Sequence, residues 1–232
     1  MQTKTSLKLD WATHESAKYA CEKWHYSKSM PVPPIVKIGV WENEKFIGVI
    51  LFSRGASPDL LKPYGLTQFE GCELTRVALT NHKTPVSRIM SIALKFLKQS
   101  NKGLRIIVSF ADQSKGHHGG IYQATNWIYA GLTSPSIELW KDGKRWHPRQ
   151  LSETGFTIQF GQKRKVFKPS ECEKIKVPGK HRYLMPLDDE MRRQIEPLRK
   201  PYPKRAGSSD SAAPEFHSGE GGAVPTPALQ KT

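Results

Sequence analysis

Cysteine is scarce in this 232-residue chain: Cys21, Cys72 and Cys172 lie far apart, and no two form a Cys-x-x-Cys pair. A disulfide framework and a cysteine-held zinc are therefore excluded, and a reducing compartment is expected. Long apolar runs are missing too. No stretch approaches the roughly 18 residues needed to cross a bilayer as a helix, and Met1-Gln2-Thr3-Lys4-Thr5 leads into no signal-peptide core. The expectation is a soluble, intracellular protein with no membrane partner. Negative charge is the third shortage, with 21 Asp and Glu against 36 Lys and Arg and a formal net charge of +15. Residues 206–232 hold one lysine against three carboxylates, so the positive excess resides in residues 1–205. Such a field draws polyanions through phosphate neutralisation and counterion release, which puts DNA or RNA first among partners. Charge of this size also serves solubility and unspecific adhesion, and composition does not separate the two.

The length admits one α/β domain of about 200 residues with a full core, assigned to residues 1–205. The Gly-, Ser-, Ala- and Pro-rich tail at 206–232 cannot supply a core and is expected to be disordered. A helix is predicted from Asp10 to about Trp24, with Asp10 or Thr13 as its cap, stopped by Ser29-Met30-Pro31-Val32-Pro33-Pro34. Strands at 35–41 and 46–52 flank the turn Glu42-Asn43-Glu44-Lys45. Residues 69–80 read as a third strand, with Glu73, Thr75 and Arg76 partly sharing a face. The clearest helix is 86–99, where Val86, Ile89, Met90, Ala93, Leu94 and Leu97 form an apolar stripe. With the strand at 104–110 it makes a crossover to parallel pairing. A hairpin is predicted around Asp142-Gly143, with further strands at 155–160 and 183–184.

The run at 104–132 carries the chemistry. A β-branched strand ends in Asp112 and passes Gly116, Gly119 and Gly120 into Ile121-Tyr122-Gln123-Ala124, before a second apolar run at 127–132. Taken alone, Tyr122 is equally a core aromatic, and Asp112 a turn former bonding nearby backbone N–H groups. This strand, helix, strand order resembles the second half of the GNAT acyltransferase fold. The resemblance implies an α/β mixed sheet with flanking helices, in which Tyr122 protonates the leaving group. It also implies that Asp112 takes or orients the acceptor's proton and that the Arg76-Val77-Ala78 backbone supplies oxyanion donors. The family's glycine-rich pyrophosphate cradle falls on Asn81-His82-Lys83-Thr84-Pro85-Val86-Ser87-Arg88, which has no glycine. There, a helix N-terminus with Lys83, Ser87 and Arg88 is what remains to hold an anion.

His25, Tyr26 and Lys28 follow the first helix and offer a base, a stacking ring and a phosphate contact, although a histidine at a helix end is commonly a cap. Trp146, His147 and Arg149 mix stacking surface with charge, as an extruded base or single strand requires; a Trp packed on the core edge is the alternative. The adjacent His117-His118 lack carboxylates or cysteines at ligand spacing, so no metal is expected. With 69–76, Trp146-His147-Pro148-Arg149 and Lys180-His181-Arg182-Tyr183-Leu184, these landmarks resemble the Mom family of DNA-modification proteins over residues 1 to about 205. The resemblance implies conversion of DNA adenine to its N6-carbamoylmethyl derivative in the host cytoplasm, which protects phage DNA from restriction. On this reading Lys28, Trp146, His147, Arg149, Lys180 and Arg182 meet nucleic acid, and the donor is glycyl-tRNA or acetyl-CoA. A homodimer is left open. A non-catalytic DNA-binding protein and an N-acetyltransferase acting on RNA or protein are the competing readings.

Overall fold

The computed structural model describes residues 5–204 apart from 56, 147 and 160. The tail assigned to 206–232 and His147 lie outside the described residues. The fold is the expected α/β class: one mixed sheet of seven strands, flanked by helices, with two small satellite sheets.

The N-terminal half is an antiparallel meander. Residues Leu7–Trp11 form β1, and α1 follows at His14–Trp24. Thr13 caps α1 by accepting the Ser16 N–H, while Asp10 belongs to the strand, so the predicted helix starts later than expected. β2 (Ile35–Glu42) and β3 (Lys45–Ser53) pair antiparallel through Asn43 and Glu44, both at positive φ, as a two-residue hairpin turn demands. β4 (Gly71–Leu79) adds to β3.

The crossover comes next. α2 (Val86–Ser100) buries Ile89, Met90, Ala93, Leu94 and Leu97 against the sheet, the four larger side chains contributing about 1.5–3 kcal/mol each of burial free energy. β5 (Ile106–Ala111) then pairs parallel to β4. The short helix α3 (Gly120–Gln123) leads to β6 (Ile128–Leu132), and β12 (His181–Pro186) inserts antiparallel between β5 and β6. The sheet order is thus β1-β2-β3-β4-β5-β12-β6. Helix α4 (Asp189–Ile195), not anticipated from the sequence, covers the other face through Met191 and Ile195.

Residues 133–180 form a basic insert between β6 and β12. The predicted hairpin at Asp142-Gly143 is β7 (Ser136–Lys141) and β8 (Lys144–Trp146), to which β11 (Glu173–Val177) adds on the far side. β9 (Phe156–Gln159) and β10 (Gln162–Lys165) pair separately as a two-stranded ribbon.

Candidate active site

Pairing between β4 and β5 covers only Gly71, Cys72 and Glu73 against Ile106, Ile107 and Val108. The cause lies in β4, where Leu51 of β3 faces Arg76 but Phe52 faces Leu74, leaving Thr75 as the extra residue of a bulge. A bulge bends and twists its strand, so β4 leaves β5 directly after Glu73. Thr80 donates its N–H to Ile47 of β3. Counting back at period 2, Ala78 also faces β3, whereas Val77 turns its N–H to the edge that β5 has left. Of the three residues expected to supply oxyanion donors, Val77 is the one whose N–H that alternation turns to the open edge.

Ser109 fills the gap between the parted strands. Its fully buried Oγ lies 2.8 Å from the Leu74 carbonyl and 2.8 Å from the Tyr122 hydroxyl. A serine has one proton to give: donated to Leu74, it leaves Oγ to accept from Tyr122; turned to Tyr122, it frees the tyrosine's proton for a ligand. Tyr122 is 8% exposed, stacked on Tyr183 at 4.7 Å and edge-on to Trp127 at 5.1 Å. Burial pushes its hydroxyl up to about 12, against the weaker pull of the Ser109 hydrogen bond. Such a group keeps its proton at neutral pH, so the role open to it is that of an acid and not of a base. Burial likewise drives the neighbouring Cys72 thiol up to about 12, which disqualifies it as a nucleophile.

Tyr26 stands between this buried tyrosine and the surface. Its half-exposed ring lies 4.3 Å from His25 and 5.1 Å from His117. Burial raises its hydroxyl, Arg76 opposes, and the charges of Asp112 and Glu73 are felt there too. His25 is buried, and its Nδ1 accepts the Ser27 N–H at 3.1 Å. The ring proton of neutral His25 therefore sits on Nε2. Burial, aided by Arg76, lowers His25 to about 4. The expected base is thus a neutral donor whose free lone pair is already used, at the C-cap of α1.

Asp112 caps the 3-10 turn Gln113–Lys115, accepting from Ser114 N at 3.1 Å and Oγ at 2.6 Å, and its Oδ2 lies 3.5 Å from Lys180 Nζ. Burial works to raise it, but Ser114 and Lys180 outweigh that and hold it below the usual carboxylate range. The same side chain therefore forms the turn and presents a fixed negative charge. It opens on a cleft of about 180 Å³ that Ser114, Glu138, Arg145, Trp146 and Lys180 also line. Trp146 is held there by an edge contact to Phe167 at 5.0 Å, with Lys144 Nζ 4.7 Å from its ring centre.

Two residues expected to meet nucleic acid also hold backbone carbonyls of this chain. Lys28 Nζ donates to the Lys23 carbonyl at 2.9 Å and so closes the end of α1. Arg182 alternates with His181 and Tyr183 on β12, which puts it on the opposite face of the sheet, where it donates to the Ala130 carbonyl at 3.4 Å. Arg149 belongs to the 3-10 turn Pro148–Gln150 beside the cleft.

The model of the Mom protein family matches residues 6–204. The chain belongs to this family. A Mom-family relative, the methylcarbamoylase Mom of Escherichia phage Mu, is 27% identical over 190 residues, which are 78% of this chain and 76% of the relative. Among solved structures, a putative acetyltransferase from Acinetobacter baylyi superposes with a TM-score of 0.45 at 12% identity, covering 81% of this chain and 96% of that one. A Bacillus subtilis acetyltransferase in complex with CoA gives 0.44 at 13%, covering 80% and 100%.

Coenzyme A, which the GNAT resemblance implies, does not fit the loop before α2 in this Mom-family chain. Buried Glu42, at the end of β2, accepts the N–H groups of Lys83 at 2.8 Å and Thr84 at 2.7 Å, and the Thr84 hydroxyl at 2.6 Å. Burial acts to raise this carboxyl, but the three hydrogen bonds win and keep it ionised. The anion this loop holds is the protein's own. A pyrophosphate would find those two amides taken and a negative charge among them, with the Lys83 and Arg88 side chains exposed outside.

Sequence reading missed Ser109, Glu42 and the role of Glu73. A serine amid Ile106-Ile107-Val108 and Phe110 is the one signal that was legible. Glu73 and Arg76 lie three apart and would face opposite sides of a regular strand; the Thr75 bulge lets both act on Tyr26.

Proposed function

We propose that this chain is a transferase that converts adenine in DNA to N6-carbamoylmethyladenine, protecting phage DNA from restriction in the host cytoplasm. The observation that carries the reading is the Tyr122 hydroxyl, kept protonated where β4 and β5 part and tied to Ser109. The methylcarbamoylase name of the phage Mu relative supports the product.

Each residue then has a task. The cleft beside Trp146 receives an adenine taken out of the duplex, with Tyr26 offering a second stacking face. The Asp112 carboxylate accepts the N6 hydrogen and takes its proton as the new C–N bond forms. The Val77 N–H faces the developing oxyanion. Tyr122 gives its proton to the departing oxygen, and Ser109 turns to support the phenolate.

A glycyl ester such as glycyl-tRNA suits the donor role, because Glu42 closes the pyrophosphate cradle and the basic surface suits two nucleic acids. N6 attacks the glycyl carbonyl and the ribose oxygen leaves with the Tyr122 proton. The glycyl amine then attacks ring carbon 6, giving a five-membered spiro intermediate, and expulsion of the original nitrogen makes it the terminal amide. Mass analysis of nucleosides from DNA labelled with heavy nitrogen at the adenine amine tests this. Label in the carboxamide is expected; label kept on the ring-attached nitrogen overturns the rearrangement, and unmodified DNA overturns the function.

A further inference from the structure

Residues 155–168 contain Lys163, Arg164, Lys165 and Lys168 and no carboxylate. They form the β9–β10 ribbon, which pairs with no strand of the other two sheets. Its register sets Phe156 opposite Lys165 and Ile158 opposite Lys163, so these four side chains share one face. That face is open: Ile158 is 77% exposed, Phe156 is 44% exposed, and residues 162–165 are exposed throughout. Lys163 Nζ lies 4.4 Å from the Phe156 ring centre, which interleaves charge with apolar surface. An isolated two-stranded ribbon is marginal in water, and an open β-branched and aromatic pair gains nothing for the fold where it stands. The ribbon is nevertheless anchored to the site. Val166 N–H donates to Gly155 at its base, and the next residue, Phe167, packs on Trp146 of the cleft.

We propose that the β9–β10 ribbon docks on the DNA duplex flanking the target base, with Lys163 and Lys165 on phosphates and Phe156 and Ile158 against the groove. The proposal rests on the DNA reading above. Charge complementarity selects the partner: cations alternating with apolar side chains and no carboxylate match a polyphosphate whose grooves present base edges and methyl groups. The major groove, about 12 Å wide, admits a two-stranded ribbon. Because Phe167 fixes the ribbon to Trp146, the duplex is held next to the cleft that takes the base.

The test is binding of a fluorescent 30-base-pair duplex by wild type and by Lys163→Glu/Lys165→Glu between about 50 and 200 mM salt. The slope of log affinity against log salt is expected to fall by about 2, at about 0.9 for each phosphate left without its lysine. In modification assays KM for DNA should rise about tenfold or more, with kcat within about twofold, because neither lysine lies in the cleft. Phe156→Ser/Ile158→Ser should weaken binding without changing the slope. The milder Lys163→Gln/Lys165→Gln pair carries the same expectation at smaller size if charge reversal perturbs folding, which circular dichroism reveals. Unchanged slope and KM overturn the proposal, as does a loss that falls on tRNA and spares DNA. Failure of the DNA reading itself looks different: wild type then produces no modified nucleoside, whatever its affinity for duplex.

Discussion

In the proposed reaction Tyr122 serves as the acid because burial keeps its proton in place, and Ser109 assists because its one hydroxyl can face either of two acceptors. Tyr122→Phe removes the proton and keeps the packing on Tyr183 and Trp127. Modification should fall by about 10²-fold or more, with duplex affinity unchanged in a binding assay. Asp112→Ala should produce a loss of similar size and also loosen the Ser114 turn. His25 gives a stability signature. Its folded value is lowered to about 4 from an unfolded value of 6.5, so between these pH values the unfolded chain binds the proton and the folded chain does not. The stabilisation is complete above about pH 6.5 and is lost as pH falls towards 4, on the order of 2–3 kcal/mol in all. Urea unfolding of wild type at pH 7.5 and 4.5 should show that loss on top of the carboxylate contribution, and His25→Gln should show a smaller one; an equal loss in both assigns the effect elsewhere.

At the level of elements, the bulge in β4 is what opens the sheet at the candidate site. One extra residue, Thr75, parts β4 from β5, turns the Val77 N–H to open space and brings Glu73 and Arg76 to the same tyrosine. Tight turns and the α2 stripe were legible because periodicity and turn chemistry are local. β1, β11 and α4 were not, since each is settled by a partner far along the chain: β1 by β2, β11 by β7, and α4 by the apolar face under Met191. The loop before α2 yields a further prediction. With Glu42 on the amides of Lys83 and Thr84, titration calorimetry should find no saturable acetyl-CoA binding at micromolar concentration, and the opposite result would return CoA to the donor role. Glu42→Gln should destabilise the protein by about 1–3 kcal/mol, because charged hydrogen bonds to buried amides are lost.

For the whole molecule, the positive excess lies on the described domain and on an insert that the sheet itself does not need. Deleting residues 206–232, which carry one lysine, three carboxylates and little apolar surface, should leave modification and the salt dependence of DNA binding unchanged; loss of either would give the tail a role. The sequence by itself determined the α/β class, the parallel crossover and the basic field, since composition, periodicity and turn residues are properties of short segments. Only the tertiary structure decided which side chains meet. It gave Arg182 the Ala130 carbonyl and Lys28 the Lys23 carbonyl as partners, filled the loop before α2 with a carboxylate from 41 residues earlier, and put Ser109 against Tyr122. Those outcomes depend on strand register and on the bulge at Thr75, and register is fixed by pairing between distant segments that no local pattern encodes.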